Sequence, residues 1–266
     1  IMPDNYTLQL RPEARADAVI TGDCYRFTVL TESLIRMEYQ PEGQFTDGAT
    51  QTVICRDFPV PSFRIAEGEE RLEIITEELH LFYNKKSFSP EGLSVRLKKS
   101  FHVHGSVWRY GGAVEDLKGT ARTLDGVNGK TVLESGLLSR GGYTVLDDSG
   151  TALVADSQWI EPRKHKGIDL YFFGYGHRYM ECLRDFYRLS GHTPLLPRFA
   201  LGNWWSRYHK YTEESYLTLM EAFRTRDIPL SVAVIDMDWH LVDVPPEYGS
   251  GWTGYTWNRA FFPDPK

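Results

Sequence analysis

From about residue 6 to residue 173, short runs of β-branched and aromatic residues alternate with Gly, Pro, Asp and Asn punctuation, the pattern of an all-β domain. Strands are predicted over Cys24–Leu30, Leu34–Tyr39, Leu72–Ile75, Leu79–Tyr83, Leu93–Leu97, Thr144–Leu146, Ala152–Ala155 and Ile168–Phe173. Between the Thr144 and Ala152 runs, Asp147-Asp148-Ser149-Gly150 predicts a hairpin turn with Gly150 at positive φ. So many short strands imply a β-sandwich. The longest stretch without strand character, Tyr110–Lys130, is rich in glycine; a loop of that length is either a surface excursion or functional.

Beyond residue 173 the period changes. His177–Ser190 places Tyr179, Leu183, Phe186 and Tyr187 on one helical face, and Gly191 then Pro194 supply the stop. Pro194-Leu195-Leu196-Pro197 reads as a rigid linker. Phe199–Trp205 reads as a strand, and Thr212 as the cap of a helix with Glu213 and Glu214 in its first turn and a buried stripe of Tyr216, Leu219, Met220 and Phe223. Asp227-Ile228-Pro229 ends that helix. Leu230–Ile235 is the nearly all-apolar strand that a parallel sheet buries on both faces, completing one βαβ unit. The domains expected are residues 1–173, a connecting helix and linker over 174–197, and a second domain over 198–266.

Composition narrows the function classes. The 266 residues include 41% hydrophobic ones, enough for an ordinary core. A net charge of −6 supplies no basic face for nucleic acid, so the 15 Tyr, 14 Phe and 7 Trp serve the core or stack on sugar rings. Three cysteines, Cys24, Cys55 and Cys182, far apart and without CxxC spacing, point to neither a disulfide framework nor a zinc site. There is no signal-like start and no run of eighteen apolar residues, so a soluble, cytoplasmic protein with no membrane partner is expected.

Chemistry concentrates after the last strand. Asp236-Met237-Asp238-Trp239-His240 puts two carboxylates at the carboxyl end of a parallel strand, the end where α/β folds bind ligands. The same placement also suits Asp236 as the cap of a following helix. The segment Pro197-Arg198-Phe199-Ala200-Leu201-Gly202-Asn203-Trp204-Trp205-Ser206-Arg207-Tyr208, a capped helix, then Ile228-Pro229-Leu230 leading to Val234-Ile235-Asp236-Met237-Asp238, resembles the opening of the catalytic barrel in glycoside hydrolase family 31.

That resemblance implies a mainly β chain, a galactose-mutarotase-like N-terminal β-sandwich followed by the first βαβ unit of a truncated (β/α)8 barrel. It also implies a retaining enzyme acting on terminal α-linked sugars, most commonly α-glucosides, with no cofactor and no metal. Carried over residue by residue, Asp236 accepts hydrogen bonds from hydroxyls of the sugar in the first subsite and Met237 lines that subsite. Tyr208 stands in the pocket wall, and Asp125, in the loop Thr123-Leu124-Asp125-Gly126-Val127-Asn128-Gly129, shapes the sugar sites from the N-terminal domain. Trp204 and Trp205 join Tyr208 as aromatic walls, or pack structurally. In the loop Glu247–Asn258, Trp252 and Trp257 either contact sugar or buttress Asp238 and Asp243.

A (β/α)8 barrel needs about 250 residues. Fewer than seventy follow the linker, so the nucleophile and the acid/base carboxylate are expected beyond Lys266. The chain alone is then expected to be inactive, with an oligosaccharide or α-glycoside as partner and exposed strand edges that favour self-association. Three rival readings are weaker. A non-catalytic carbohydrate-binding module has no use for a βαβ unit, His102 and His104 lack a third ligand for zinc, and no G-x-G-x-x-G follows a strand.

Overall fold

The computed structural model describes residues 7–99, 106–193, 195–252 and 254–265. His102 and His104 lie outside them. The chain is mainly β and divides into two compact units, Ile1–Thr193 and Pro194–Lys266. Among the described residues, no helix is long and apolar enough to cross a membrane.

In the first unit the strands run β1 (Val19–Thr21), β2 (Tyr25–Thr31), β3 (Leu34–Tyr39), β4 (Ala49–Thr50), β5 (Arg64–Glu67), β6 (Leu72–Ile75), β7 (Leu79–Tyr83), β8 (Leu93–Leu97), β9 (Ser106–Arg109), β10 (Thr144–Asp147), β11 (Leu153–Val154), β12 (Ile160–Glu161) and β13 (Ile168–Phe173). They form two five-stranded antiparallel sheets, β1-β2-β3-β13-β10 and β5-β6-β7-β8-β9, and a small sheet β12-β11-β4. The two larger sheets share one apolar core. Phe27, Val29, Ile35, Met37 and Phe172 from the first meet Leu72, Leu81, Tyr83, Val95 and Trp108 from the second. Alternation explains the inward set, because residues two apart on a strand face the same way.

The opposite face of the first sheet is buried as well, and it is charged. Arg26 stands directly across from Glu38 on β3, and Glu38 directly across from Asp169 on β13. Two carboxylates facing one another would repel. Arg36 lies between them, donating from Nε and Nη2 to the two Asp169 oxygens at 2.8 Å each, while its Nη2 lies 3.0 Å from Glu38. Arg26 donates twice to Glu38, at 2.7 and 2.9 Å. Arg163 bridges Asp169 and Asp148 at 3.2 Å each, and the buried Arg56 donates to the Tyr171 hydroxyl at 2.7 Å. A second apolar cluster beside this face includes Leu30, Leu34, Val53, Phe58, Phe173 and Leu189.

Helix α1 (Tyr179–Ser190) forms where the period changes and packs into this second cluster. Its buried stripe is Cys182, Asp185 and Leu189 with Phe186 beside them, one position round from the expected face, and Tyr187 is 40% exposed. The shift follows from a polar contact: the Tyr175 hydroxyl donates to Asp185 at 2.7 Å, so the carboxylate turns inward. Gly191 closes the helix at φ 85°, as expected of a C-terminal glycine.

The hairpin expected at Asp147–Gly150 does not form. The chain turns there, but β10 pairs with β13 whereas β11 pairs with β4 and β12. Asp148 is fully buried, accepts from Thr50 Oγ1 at 2.9 Å and pairs with Arg163; these contacts draw the chain out of the first sheet. Gly150 is not among the glycines in the left-handed region. The Tyr110–Lys130 loop folds back along the chain that follows it, with Leu117 N donating to Leu138 O and Gly119 N to Glu134 O.

In the second unit, β14 (Trp204–Trp205), helix α2 (Glu213–Thr225) and β15 (Val232–Ala233) form a parallel βαβ unit. Thr212 caps α2 reciprocally with Ser215. Both strands are shorter than the runs that predicted them. Arg198–Leu201 is a 3-10 turn instead of strand, closed by Gly202 N donating to Phe199 O. Around β15, Val232, Val234 and Ile235 are only half-buried rather than covered on both faces, since β14 is its one partner strand among the described residues.

Asp169 sets the acid response of the first unit. Burial opposes its ionisation, but Arg36, Arg56 and Arg163 overcome that and hold its pKa at about 2, below the ordinary 3.8. Such a group contributes its full stability above the unfolded value and loses it as pH falls through about 2. Burial foremost pushes Glu38 and Asp148 upward, so they take up protons earlier and act in the opposite sense. Asp169→Asn is expected to cost about 3–5 kcal/mol in urea unfolding at neutral pH, because it strips a buried guanidinium of its partner. It should also flatten the decline in stability between roughly pH 4 and pH 2. Phe172→Ala, between the two sheets, should cost about 3–5 kcal/mol with no such change in pH dependence.

Candidate functional site

The parallel pairing in the second unit sends both strand exits to one end. Val234 N donates to Trp205 O at 2.9 Å, and farther on Lys210 and Met237 form an isolated parallel bridge. Asp236 lies just before that bridge and Asp238 just after it. Asp238 takes φ 54°, in the left-handed region that Asp enters more readily than most residues with a side chain. Its carboxylate, 13% exposed, is paired with Lys210 Nζ at 2.9 Å.

Beyond Asp238 an aromatic cluster fixes the chain. The Trp239 ring packs edge-on against His240 at 4.9 Å, Trp257 at 4.9 Å and Tyr255 at 6.0 Å. His240 bridges to Trp257, and Asn258 N donates to Trp239 O at 2.8 Å. Trp257 in turn meets Phe262, one of three buried residues in the core of this unit with Tyr211 and Tyr216. That core is tied to α2, since Glu213 N donates to Phe261 O and Asp264 N to the Glu213 carboxylate.

The result is a cleft of about 330 Å³ lined by Asp236, Asp238, Trp239, His240, Trp252, Gly254 and Tyr255. Asp236 is exposed and has no hydrogen-bond or ion-pair partner among the described residues. Asp238 is neutralised by Lys210. The cleft therefore offers one open carboxylate, able to accept two hydrogen bonds, beside three aromatic side chains. That combination suits a polyhydroxylated ring, whose edges donate hydrogen bonds and whose faces are apolar.

The sequence-derived candidates separate. Asp236 lines the cleft, whereas Met237 is half-buried and its backbone carries the bridge to Lys210. Tyr208 follows β14 and is 75% exposed, but is not among the cleft-lining residues. Asp125 belongs to the first unit, where it is exposed and its amide donates to Thr123 Oγ1 at 3.0 Å. Trp205 is a packing residue, its ring 5.1 Å from Phe223 on α2, and Trp204 donates from Nε1 to Ala200 O. The two later tryptophans divide: Trp252 lines the cleft, and Trp257 buttresses Trp239. Trp239, His240 and Tyr255 went unassigned in the sequence, and so did the pairing of Lys210 with Asp238; the available signal was the density of Gly and aromatic residues after the strand. Among the described residues no group of three or more His, Cys, Asp or Glu is arranged to hold a metal.

The buttress and the lining residue should behave differently on truncation. Trp257→Ala should destabilise the second unit by about 3 kcal/mol or more, whereas Trp252→Ala, at an exposed position, should change its stability by less than about 0.5 kcal/mol; thermal unfolding followed by near-ultraviolet circular dichroism separates them.

Residues 193–266 match the model of the glycosyl hydrolases family 31 TIM-barrel domain. The chain is 30% identical over 137 residues to an alpha-xylosidase of Saccharolobus solfataricus, covering 49% of this chain and 17% of that protein. It is 33% identical over 99 residues to alpha-glucosidase 2 of Bacillus thermoamyloliquefaciens, covering 37% of this chain and 11% of that one. The chain thus spans less than a fifth of the length of these relatives. Among solved structures, the Flavobacterium johnsoniae GH31 dextranase in complex with isomaltotriose aligns with a TM-score of 0.55 at 16% identity, covering 92% of this chain and 34% of the dextranase. A GH31 alpha-xylosidase from a soil metagenome, complexed with xylose, aligns with a TM-score of 0.53 at 15% identity, covering 93% and 43%. At such identities these two structures speak for the fold.

Proposed function

We propose that this partial chain of glycoside hydrolase family 31 is the substrate-pocket front of a retaining α-glycosidase, an N-terminal β-sandwich followed by the first βαβ unit of a (β/α)8 barrel. The observation that carries the reading is the open carboxylate of Asp236 in the aromatic cleft at the carboxyl end of β15. Barrel enzymes place their chemistry at that end. An ionised Asp236 accepts hydrogen bonds from vicinal hydroxyls of the non-reducing sugar, and a site built to satisfy those hydroxyls rejects the epimer that lacks one. Trp239, Trp252 and Tyr255 hold the ring. Terminal α-linked sugars, α-glucosides first, are the substrates we propose, in keeping with the alpha-glucosidase and alpha-xylosidase relatives.

Retaining hydrolysis needs two carboxyl groups about 5 Å apart, a nucleophile and an acid/base. Asp238 is ill suited to either role because it is bound to Lys210, and Asp236 is assigned to recognition. We therefore assign the catalytic pair to barrel strands other than those described, and take the 266 residues alone to be inactive. Met237 and Tyr208 stay in the proposed site as residues that shape the sugar positions, a role that rests on the family resemblance.

A panel of nitrophenyl α-glycosides, given to this chain and to one extended through a complete barrel, tests the assignment. Hydrolysis by the extended chain only is the expected result, and the preferred glycoside names the sugar. Turnover by the 266 residues themselves would mean that acids assigned here to recognition or packing are catalytic. In the extended enzyme Asp236→Asn should lower kcat/KM by about a hundredfold or more, the loss of a charged hydrogen-bonding group that strengthens toward the transition state.

A further inference from the structure

We infer that Lys210 is a positioning residue for the cleft: through its ion pair with Asp238 and its backbone bridge to Met237, it fixes the exit of β15 so that Asp236 faces the cleft unpaired. The inference rests on the reading of the cleft as a sugar site. Its argument is geometric. Asp236 is flanked by two residues that Lys210 holds by different means, Met237 through the parallel bridge and Asp238 through the 2.9 Å ion pair. Asp238 sits in the left-handed region, which Asp enters as a single residue at small cost, and among the described residues the ammonium of Lys210 is the one ionic contact to its carboxylate. The ammonium is anchored in turn, lying 4.7 Å from the centre of the Phe261 ring, and the Phe261 carbonyl receives the first amide of α2.

Lys210 thus links the exits of both parallel strands to the start of the helix between them. Its charge also divides two nearby carboxylates into different roles. With Lys210 present, Asp238 is satisfied inside the protein and Asp236 remains available to a ligand. Without it, two carboxylates two residues apart would line the same cleft uncompensated, and the turn at Asp238 would lose its ion pair.

The test uses the 266-residue chain with Lys210→Met, Lys210→Arg, Asp238→Asn and the Lys210→Met/Asp238→Asn pair. Amide hydrogen exchange across 236–241 is one readout. The second is quenching of tryptophan fluorescence by methyl α-glucoside and methyl α-xyloside, with Asp236→Asn as the control for the recognition carboxylate. Lys210→Met should speed exchange across 236–241 roughly three- to tenfold while leaving the amides of α2 unchanged. It should weaken glycoside binding by a similar factor. Lys210→Arg should restore both to within about twofold, and the double variant should be no worse than Asp238→Asn alone. Exchange unaltered in Lys210→Met, or additive effects in the double variant, would overturn the positioning role whether or not a sugar binds. Quenching that is absent in the unaltered chain, or equal in Asp236→Asn, would instead overturn the reading of the cleft as a sugar site.

Discussion

The first unit depends on the doubly hydrogen-bonded pair of Arg36 and Asp169. One face of its first sheet lies on the core shared with the second sheet, and on the other face Arg36, Glu38 and Asp169 are each 3% exposed or less, so those charges depend on one another rather than on water. Burying a guanidinium and a carboxylate costs several kcal/mol for each ion, and only close geometry with further hydrogen bonds recovers it. The arrangement meets that demand across three strands: Arg26, Glu38 and Asp169 stand in one row, with Arg36 threaded between the two acids. Arg163 and Arg56 extend the network to Asp148, Tyr171 and the Asp47–Gly48 carbonyls. A sheet buried on both faces can afford one charged face if every charge has a partner in register.

That network also shows where the sequence was legible. The strands with strong β-branched and aromatic runs, Leu34–Tyr39, Leu72–Ile75, Leu79–Tyr83, Leu93–Leu97 and Ile168–Phe173, have the bounds that their pattern predicts. The short strands β1, β4 and β12 are set by their partners and, at two or three residues, carry too few for a periodic signal. In Leu34–Tyr39 the polar Arg36 and Glu38 alternate with the apolar Ile35 and Met37, yet both are 3% exposed or less. Their burial depends on Asp169, 133 residues from Arg36, and no local window contains that fact. The Asp147–Gly150 turn failed as a hairpin for the same reason, since Asp148 is claimed by Thr50 and Arg163.

In the second unit the βαβ order and the Thr212 cap were readable, as was the placement of Asp236 at a strand exit; of the expected α2 stripe Tyr216 is buried, whereas Leu219, Met220 and Phe223 are half-buried. What local pattern could not supply was the division of labour among neighbours. Asp236 and Asp238 are the same residue type two positions apart, and only the ion pair with Lys210 separates them. Trp252 and Trp257 are likewise five residues apart in one glycine-rich loop, and only the fold shows that one lines a cleft and the other supports Trp239.

The place of β13 in the first sheet bears on how the chain is made. It lies between β3 and β10 and contributes Asp169 to the charged row and Phe172 to the core, so the sheet has a gap until residue 173 has left the ribosome. At roughly 5–20 residues per second, Arg36 waits on the order of ten seconds for its partner. During that interval β3 presents an unpaired edge to its surroundings or to any chaperone nearby, an edge open to pairing with a neighbouring nascent chain.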